Sequence, residues 1–121
     1  LNTNKNLTFL KRLKFALSGI RFSFLNEKSF RTHSLLSCSL LVLSLVIRPN
    51  LLWCALFSLC VGNVMALELF NSALESLCDF TTEERDPKIK IAKDCAAGAV
   101  LLSSIASVVV FIFFLFSLRN H

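Results

Sequence analysis

The sequence has little of what soluble nucleotide-binding domains are built on. Of its 121 residues only three are glycine, Gly19, Gly62 and Gly98, and two are proline. That leaves no G-x-x-x-x-G-K-[ST] loop and no G-x-G-x-x-G turn, so the common backbone cradles for phosphate are excluded. Charge is scarce as well. Charged residues make up 17% of the chain against 55% hydrophobic ones, with twelve phenylalanines and a mean hydropathy of +0.66. An ordinary soluble domain carries more charge and less grease, so this chain belongs in a membrane. The length allows one domain and no separate soluble catalytic module, which puts any chemistry on the membrane helices or at their ends. No C-x-x-C pair joins Cys38, Cys54, Cys60, Cys78 and Cys95. They read as small buried hydrophobes in a reduced setting rather than as metal ligands or disulfides. A cleavable signal pattern, internal repeats and low-complexity tracts are also missing.

What is present divides into four segments. Residues 7–25 place Leu10, Leu13, Leu17, Ile20 and Phe24 on one helical face and Lys11, Lys14, Ser18 and Arg21 on another, the pattern of an amphipathic surface helix. A short first span is expected over 32–48, stopped by "RPN", because Pro49 disfavours helix at Arg48 and Asn50 favours a turn. The second span is expected over 51–79, with no glycine or proline to stop "ALELFNSALESLCD" from continuing the helix. A polar loop over 80–94, centred on Pro87, then leads to a charge-free third span over 95–118. Trp53 reads as an interface anchor, and "FIFFLF" as lipid-facing packing. Gly62 and Ala66 form a small-x-x-x-small pair of the kind that marks close helix packing. Lysine and arginine concentrate before the first span (Lys5, Lys11, Arg12, Lys14, Arg21, Lys28, Arg31) and before the third (Arg85, Lys88, Lys90, Lys93). The positive-inside rule places both groups in the cytoplasm.

The second span carries the chemistry. At roughly 100° per residue, Glu68, Asn71, Glu75 and Asp79 fall at about 0°, −60°, −20° and +20°, one narrow stripe at the cytoplasmic end of that helix. An ionisable group inside a bilayer costs about 2.5–3.5 kcal/mol on insertion scales, so it is normally functional or paired. The plain alternative is an interfacial stripe paired with lysine and arginine across helices. Glu27 and Lys93 are expected at the same depth, however, and paired carboxylates suit a hard cation such as Mg²⁺ that shares its shell with phosphate oxygens. A lysine neutralises phosphate as a point charge, and a further carboxylate can take a hydroxyl proton. That inventory fits transfer of a phosphoryl group to a lipid alcohol.

Three stretches, "FALSGIRFSFLNEKSFR", "ELFNSALESLCD" and "AKDCAAGAVLL", resemble the small bacterial integral-membrane diacylglycerol kinases and their undecaprenol kinase relatives. The pattern E-x-x-N-[ST]-A-[IL]-E-x-x-x-D is met at every fixed position by Glu68, Asn71, Ser72, Ala73, Leu74, Glu75 and Asp79. The resemblance runs from about Phe15 to the end, with the three motifs in the family's order. It implies an all-α homotrimer in the bacterial cytoplasmic membrane, each subunit having three transmembrane helices after a surface helix. It implies ATP as co-substrate with Mg²⁺, a lipid hydroxyl as acceptor and no nucleic-acid partner.

By motif, Glu27 and Glu75 would hold the metal on the ATP phosphates, Glu68 would be the general base, and Asn71 would orient the reacting phosphate. Lys93 and Asp94 would contact ATP, with Asp79 supporting the nucleotide side. Glu84, Arg85 and Asp86 lie where the family's inter-helix loop approaches the nucleotide. "FRTH" supplies His33 where some diacylglycerol-type members have the glutamate of "FRxE". Together with Gly98 this leans toward the undecaprenol branch, whereas "NEKSFR" and "ELFNSALE" lean toward diacylglycerol. His33 and Glu68 are accordingly expected at the lipid, although an interfacial histidine at the start of a span has the same look. The rival readings from other classes are a small non-enzymatic assembly subunit, whose acids pair with a partner's cations, and a cation channel. The first gives no reason for Glu27 and Lys93 at the depth of the stripe, and a stripe confined to one end of one helix argues against the second.

Overall fold

A computed structural model describes residues 8–81 and 86–120. Four helices occupy almost all of them: α1 (Phe9–Asn26), α2 (Lys28–Ile47), α3 (Leu51–Thr81) and α4 (Pro87–Arg119). Helices α2, α3 and α4 are each long and apolar enough to cross a membrane. Such a span must satisfy its backbone internally, and a helix does so. The hydroxyls follow the same rule. Ser34, Ser37, Ser39, Ser44, Ser58 and Ser107 each donate to the carbonyl four residues earlier, which keeps a polar group from facing hydrocarbon unpaired.

The breaks have local causes. Glu27, with φ −109° and ψ 114°, is the single extended residue between α1 and α2. Its N–H donates to the Ser23 carbonyl at 2.8 Å, its carbonyl accepts from Arg31 N–H at 3.2 Å, and the Arg31 guanidinium donates to the carbonyls of Phe24 and Leu25. A cation on the last carbonyls of α1 is the favourable end of its dipole. Arg48 takes the left-handed conformation (φ 53°, ψ 60°) that ends α2 ahead of Pro49, and Asn50 caps α3 by accepting from Trp53 N–H at 3.0 Å.

The expected loop over 80–94 is corrected by the fold: α4 begins at Pro87, eight residues before Cys95. Asp86 caps it by accepting from Lys88 N–H at 2.8 Å, and proline suits the first helical turn because its missing N–H is not needed there. Lys88, Lys90, Lys93 and Asp94 therefore stand on a helix in register with the span beyond.

At about 1.5 Å per residue, α3 and α4 are each some 45–50 Å long, well beyond a hydrocarbon core of about 30 Å. They form an antiparallel hairpin that is the main packing unit, with α2 against α3 and α1 against both α2 and α3. At the α3 amino-terminal end the hairpin closes on rings. Phe57 meets Phe114 edge-on at 5.0 Å and 87°, and Trp53 meets Phe114 at 5.4 Å and 65°. Phe114 is 2% exposed, so "FIFFLF" is not purely lipid-facing; one of its rings is the most buried side chain described. Trp53 packs inward on the same cluster. Gly62 has nothing within 4 Å of where a Cβ would stand, so the Gly62 and Ala66 pair makes no close packing inside this chain. Of the cysteines only Cys78 is buried, and all five are free thiols. The apolar stripe of α1, including Leu10, Leu13 and Leu17, stays exposed within the chain. That suits a helix lying on a lipid surface.

Candidate active site

At the opposite end of the hairpin, the acidic stripe of α3 grades from burial to exposure. Glu68 is 3% exposed, Asn71 and Glu75 are half-buried, and Asp79 is open. The gradient follows from helix geometry. All four lie on one face, and α2 reaches that face at Glu68 through His33.

Glu68 meets His33. The imidazole Nδ1 lies 2.5 Å from Glu68 Oε1, with the His33 side chain 26% exposed and the Glu68 side chain 4%. The contact is close, but the ring N–H is not aligned along a hydrogen bond, and Nδ1 makes no other bond among the described residues. Near it, Asn71 Oδ1 is buried and likewise without a hydrogen-bond partner among the described residues. A buried amide oxygen left unpaired costs about 1–3 kcal/mol, which marks a place kept for a ligand donor or water.

Lower on the stripe, Asp79 accepts from Lys93 Nζ at 2.8 Å, joining α3 to α4, and Glu75 stands within electrostatic reach of the same ammonium. Asp94 is paired with Lys90 at 2.6 Å along α4. Asp86 is engaged in capping α4. Glu27, half-buried at the α1–α2 junction, makes no side-chain cap on α2, so its carboxylate stays available. Glu84 and Arg85 lie outside the described residues.

The fold thus brings Glu68 to His33 and Asp79 to Lys93. Among the described residues no group of three His, Cys, Asp or Glu side chains is gathered for a metal. Sequence reasoning assigned both His33 and Glu68 to the lipid without foreseeing their contact. The signal was the need of an intramembrane acid for a named partner. Arg31, which anchors the α1–α2 junction, and Lys90, which pairs with Asp94, enter the sequence reading only as cytoplasmic positive charge.

Two grooves flank the stripe. One, of about 200 Å³, runs up the span between α2, α3 and α4, is lined chiefly by apolar side chains such as Leu36, Phe57 and Phe111, and has His33 and Val64 on its wall. Val64 is one turn from Glu68. The other, of about 380 Å³, lies between α1 and α3, where Ala16, Gly19, Ser23, Ser72 and Ala73 leave it open.

The sequence pattern of prokaryotic diacylglycerol kinase matches residues 14–115. The chain belongs to that family. It is 37% identical over 102 residues to the diacylglycerol kinase of Synechocystis, an alignment covering 84% of this chain and 58% of that protein. The undecaprenol kinase of Bacillus subtilis is 30% identical over 102 residues, covering 84% of this chain and 83% of the relative. The Escherichia coli diacylglycerol kinase is 27% identical over 116 residues, covering 96% and 95%. The chain therefore spans somewhat more than half the length of the Synechocystis relative and most of the other two. The family expected from the three motifs is the family matched, and its relatives include both lipid specificities.

Proposed function

We propose that this chain, a member of a family of membrane lipid kinases, transfers the γ-phosphoryl group of ATP to the hydroxyl of diacylglycerol, giving phosphatidic acid. The observation that carries the reading is Glu68: a carboxylate 3% exposed inside a span, one turn from the wall of an apolar groove. A lipid chain in that groove brings its hydroxyl toward the charged end, where the polar groups are. Glu68 takes the hydroxyl proton, the lipid oxygen forms the new bond to γ-phosphorus, and the bond from that phosphorus to the bridging oxygen of ADP breaks. Asn71, with its unpaired Oδ1, stands beside that path and orients the reacting groups. Lys93, anchored by Asp79, offers positive charge to the phosphates, with Asp94 on the same helix.

Mg²⁺ fits the donors that remain. Glu27 and Glu75 are half-buried carboxylates without ion pairs among the described residues, and Mg²⁺ is usually held by one or two carboxylates together with substrate phosphates rather than by a protein cage. Those two residues would hold it, and the chemistry it supplies when bound is neutralisation of charge on the transferred group. Glu84, Arg85 and Asp86 complete the nucleotide side in this reading, and a homotrimer in the bacterial inner membrane, with the charged end in the cytoplasm, supplies the walls that three helices lack.

Undecaprenol as acceptor is the second reading, favoured by His33 in place of the glutamate of "FRxE" and by the likeness to the Bacillus subtilis undecaprenol kinase. Incubating purified protein with labelled ATP, Mg²⁺ and each lipid separately, then resolving the lipid products, decides between them. Label in phosphatidic acid supports the first reading and label in undecaprenyl phosphate the second. ATP consumption without a phosphorylated lipid overturns both.

A further inference from the structure

We propose that His33 is the positioning residue of the base: reaching across from α2, its Nδ1 holds one oxygen of Glu68 so that the other faces the lipid hydroxyl. This rests on the lipid-kinase reading and adds a working partner for Glu68.

The placement is specific. Glu68 is enclosed by helices, and the group that meets its carboxylate among the described residues is a single imidazole from a neighbouring helix. Held by α3 alone, a glutamate side chain has three rotatable bonds and samples many directions, and fixing a reactive group in one geometry is worth orders of magnitude in rate. An imidazole is short and rigid, and its own backbone is well fixed. His33 lies two residues after Arg31, whose guanidinium ties the start of α2 to the last carbonyls of α1, and the His33 carbonyl accepts from the Ser37 hydroxyl at 2.7 Å. The exposures are complementary as well. The Glu68 side chain is 4% exposed and that of His33 26%, and His33 also lines the apolar groove while Glu68 stands behind it. The misaligned Nδ1 and the Asn71 Oδ1, which has no partner among the described residues, leave bonding capacity at this level of the span. That is expected of a pair that completes its alignment when substrate arrives.

A purely structural contact would look similar in the fold, so the test reads something such a contact does not move. The sequence has two histidines, His33 and His121. In ¹⁵N-labelled protein in micelles, Glu68→Gln shifts the imidazole signals of one histidine and leaves the other unchanged. That reading needs no activity, so it stands apart from whether the protein phosphorylates a lipid. In turnover assays with whichever lipid the wild type accepts, His33→Ala lowers kcat by about 10-fold to 100-fold, the size of effect that outer partners have on a working group. The KM for ATP stays within about twofold. His33→Asn, which keeps an N–H donor near the place of Nδ1, recovers most of kcat, and it also serves if the alanine variant fails to fold. In the Glu68→Gln background, His33→Ala costs little further, since the two act as a unit. Unchanged imidazole signals overturn the proposal. So do losses that multiply in the double variant, or a His33→Asn variant as slow as His33→Ala. A wild type that phosphorylates no lipid while the imidazole shifts as expected counts against the lipid-kinase reading instead, and leaves the pair standing.

Discussion

The two ends of the α3–α4 hairpin are built from the same pair of helices and held by different physics. At one end, Trp53 and Phe57 of α3 close on Phe111 and Phe114 of α4 through edge-on and tilted ring contacts. At the other end, the ion pair that joins α3 to α4 among the described residues is the exposed Asp79 with Lys93, and the buried acid of α3 turns to α2 instead. An exposed pair of this kind is screened by solvent and adds little to stability. Packing secures the aromatic end. The charged end gives up packing for groups with unused bonding capacity, which is what a phosphoryl-transfer site needs. The lesson is a division of labour along one hairpin, and it breaks if a change at one end behaves like a change at the other.

The largest effect is expected at Glu68. Glu68→Gln keeps shape and hydrogen bonding and removes basicity, so kcat should fall by the roughly 10²–10⁴-fold typical of losing a general base. ATP binding and thermal stability in detergent should change little. A folded Glu68→Gln variant with near-wild-type turnover removes the base from this position.

Next come Glu27 and Glu75, one at the α1–α2 junction and one on the stripe. Glu→Gln at either should raise the Mg²⁺ concentration needed for activity and lower maximal turnover, by at least the roughly 10–100-fold that disturbed metal surroundings cost. Activity titrated against Mg²⁺ at fixed ATP reads both effects. If both variants keep a normal Mg²⁺ profile, these carboxylates do not share the metal, and the charged end loses half of its assigned role.

The aromatic end should respond the other way round. Phe114→Ala removes the ring at the centre of the cluster. In water-soluble cores this costs about 3–5 kcal/mol, and in lipid less, because acyl tails fill part of the void; about 1–3 kcal/mol is expected. The measurement is unfolding in mixed micelles, with kcat per folded molecule within about twofold of wild type. A large loss of kcat without loss of stability would join the two ends into one functional unit.

Much of this contrast is legible in the sequence, and the parts that are not have physical reasons. The length of α3 is readable because no proline interrupts 51–81 and no glycine follows Gly62 within it, and the stripe is readable because helical periodicity is fixed. The start of α4 was harder. Lys88, Lys90, Lys93 and Asp94 look like a solvated loop, yet Asp86 followed by Pro87 is itself a helix-start signal that the charge pattern obscured. The inward turn of Phe114 is invisible because α4 is apolar on nearly every side, so periodicity carries no information about which ring is covered. The contact of His33 with Glu68 joins residues thirty-five positions apart on different helices. No local pattern encodes such a distance; only the demand of a buried acid for a partner pointed toward it.

The smallest effect is expected away from both ends of the hairpin, on α1. Lys11 and Lys14 share a face of that helix, and Leu10, Leu13 and Leu17 are exposed within the chain, as they should be if the membrane covers them. A basic residue near an anionic surface contributes about 1 kcal/mol, and the attraction falls off within a Debye length. Lys11→Gln combined with Lys14→Gln should therefore cost at most about 2 kcal/mol of surface attraction. The three spans keep the protein in the bilayer regardless, so the change appears as a weaker apparent affinity for lipid substrate, greatest in vesicles rich in anionic lipid and at low salt. Maximal turnover and the Mg²⁺ profile should stay as they are. The comparison to make is KM for the lipid in anionic against neutral vesicles, with wild type and the double variant side by side. A KM that differs equally in both vesicle types assigns the two lysines to substrate contact, and a changed Mg²⁺ profile places α1 in the nucleotide site rather than on the lipid surface.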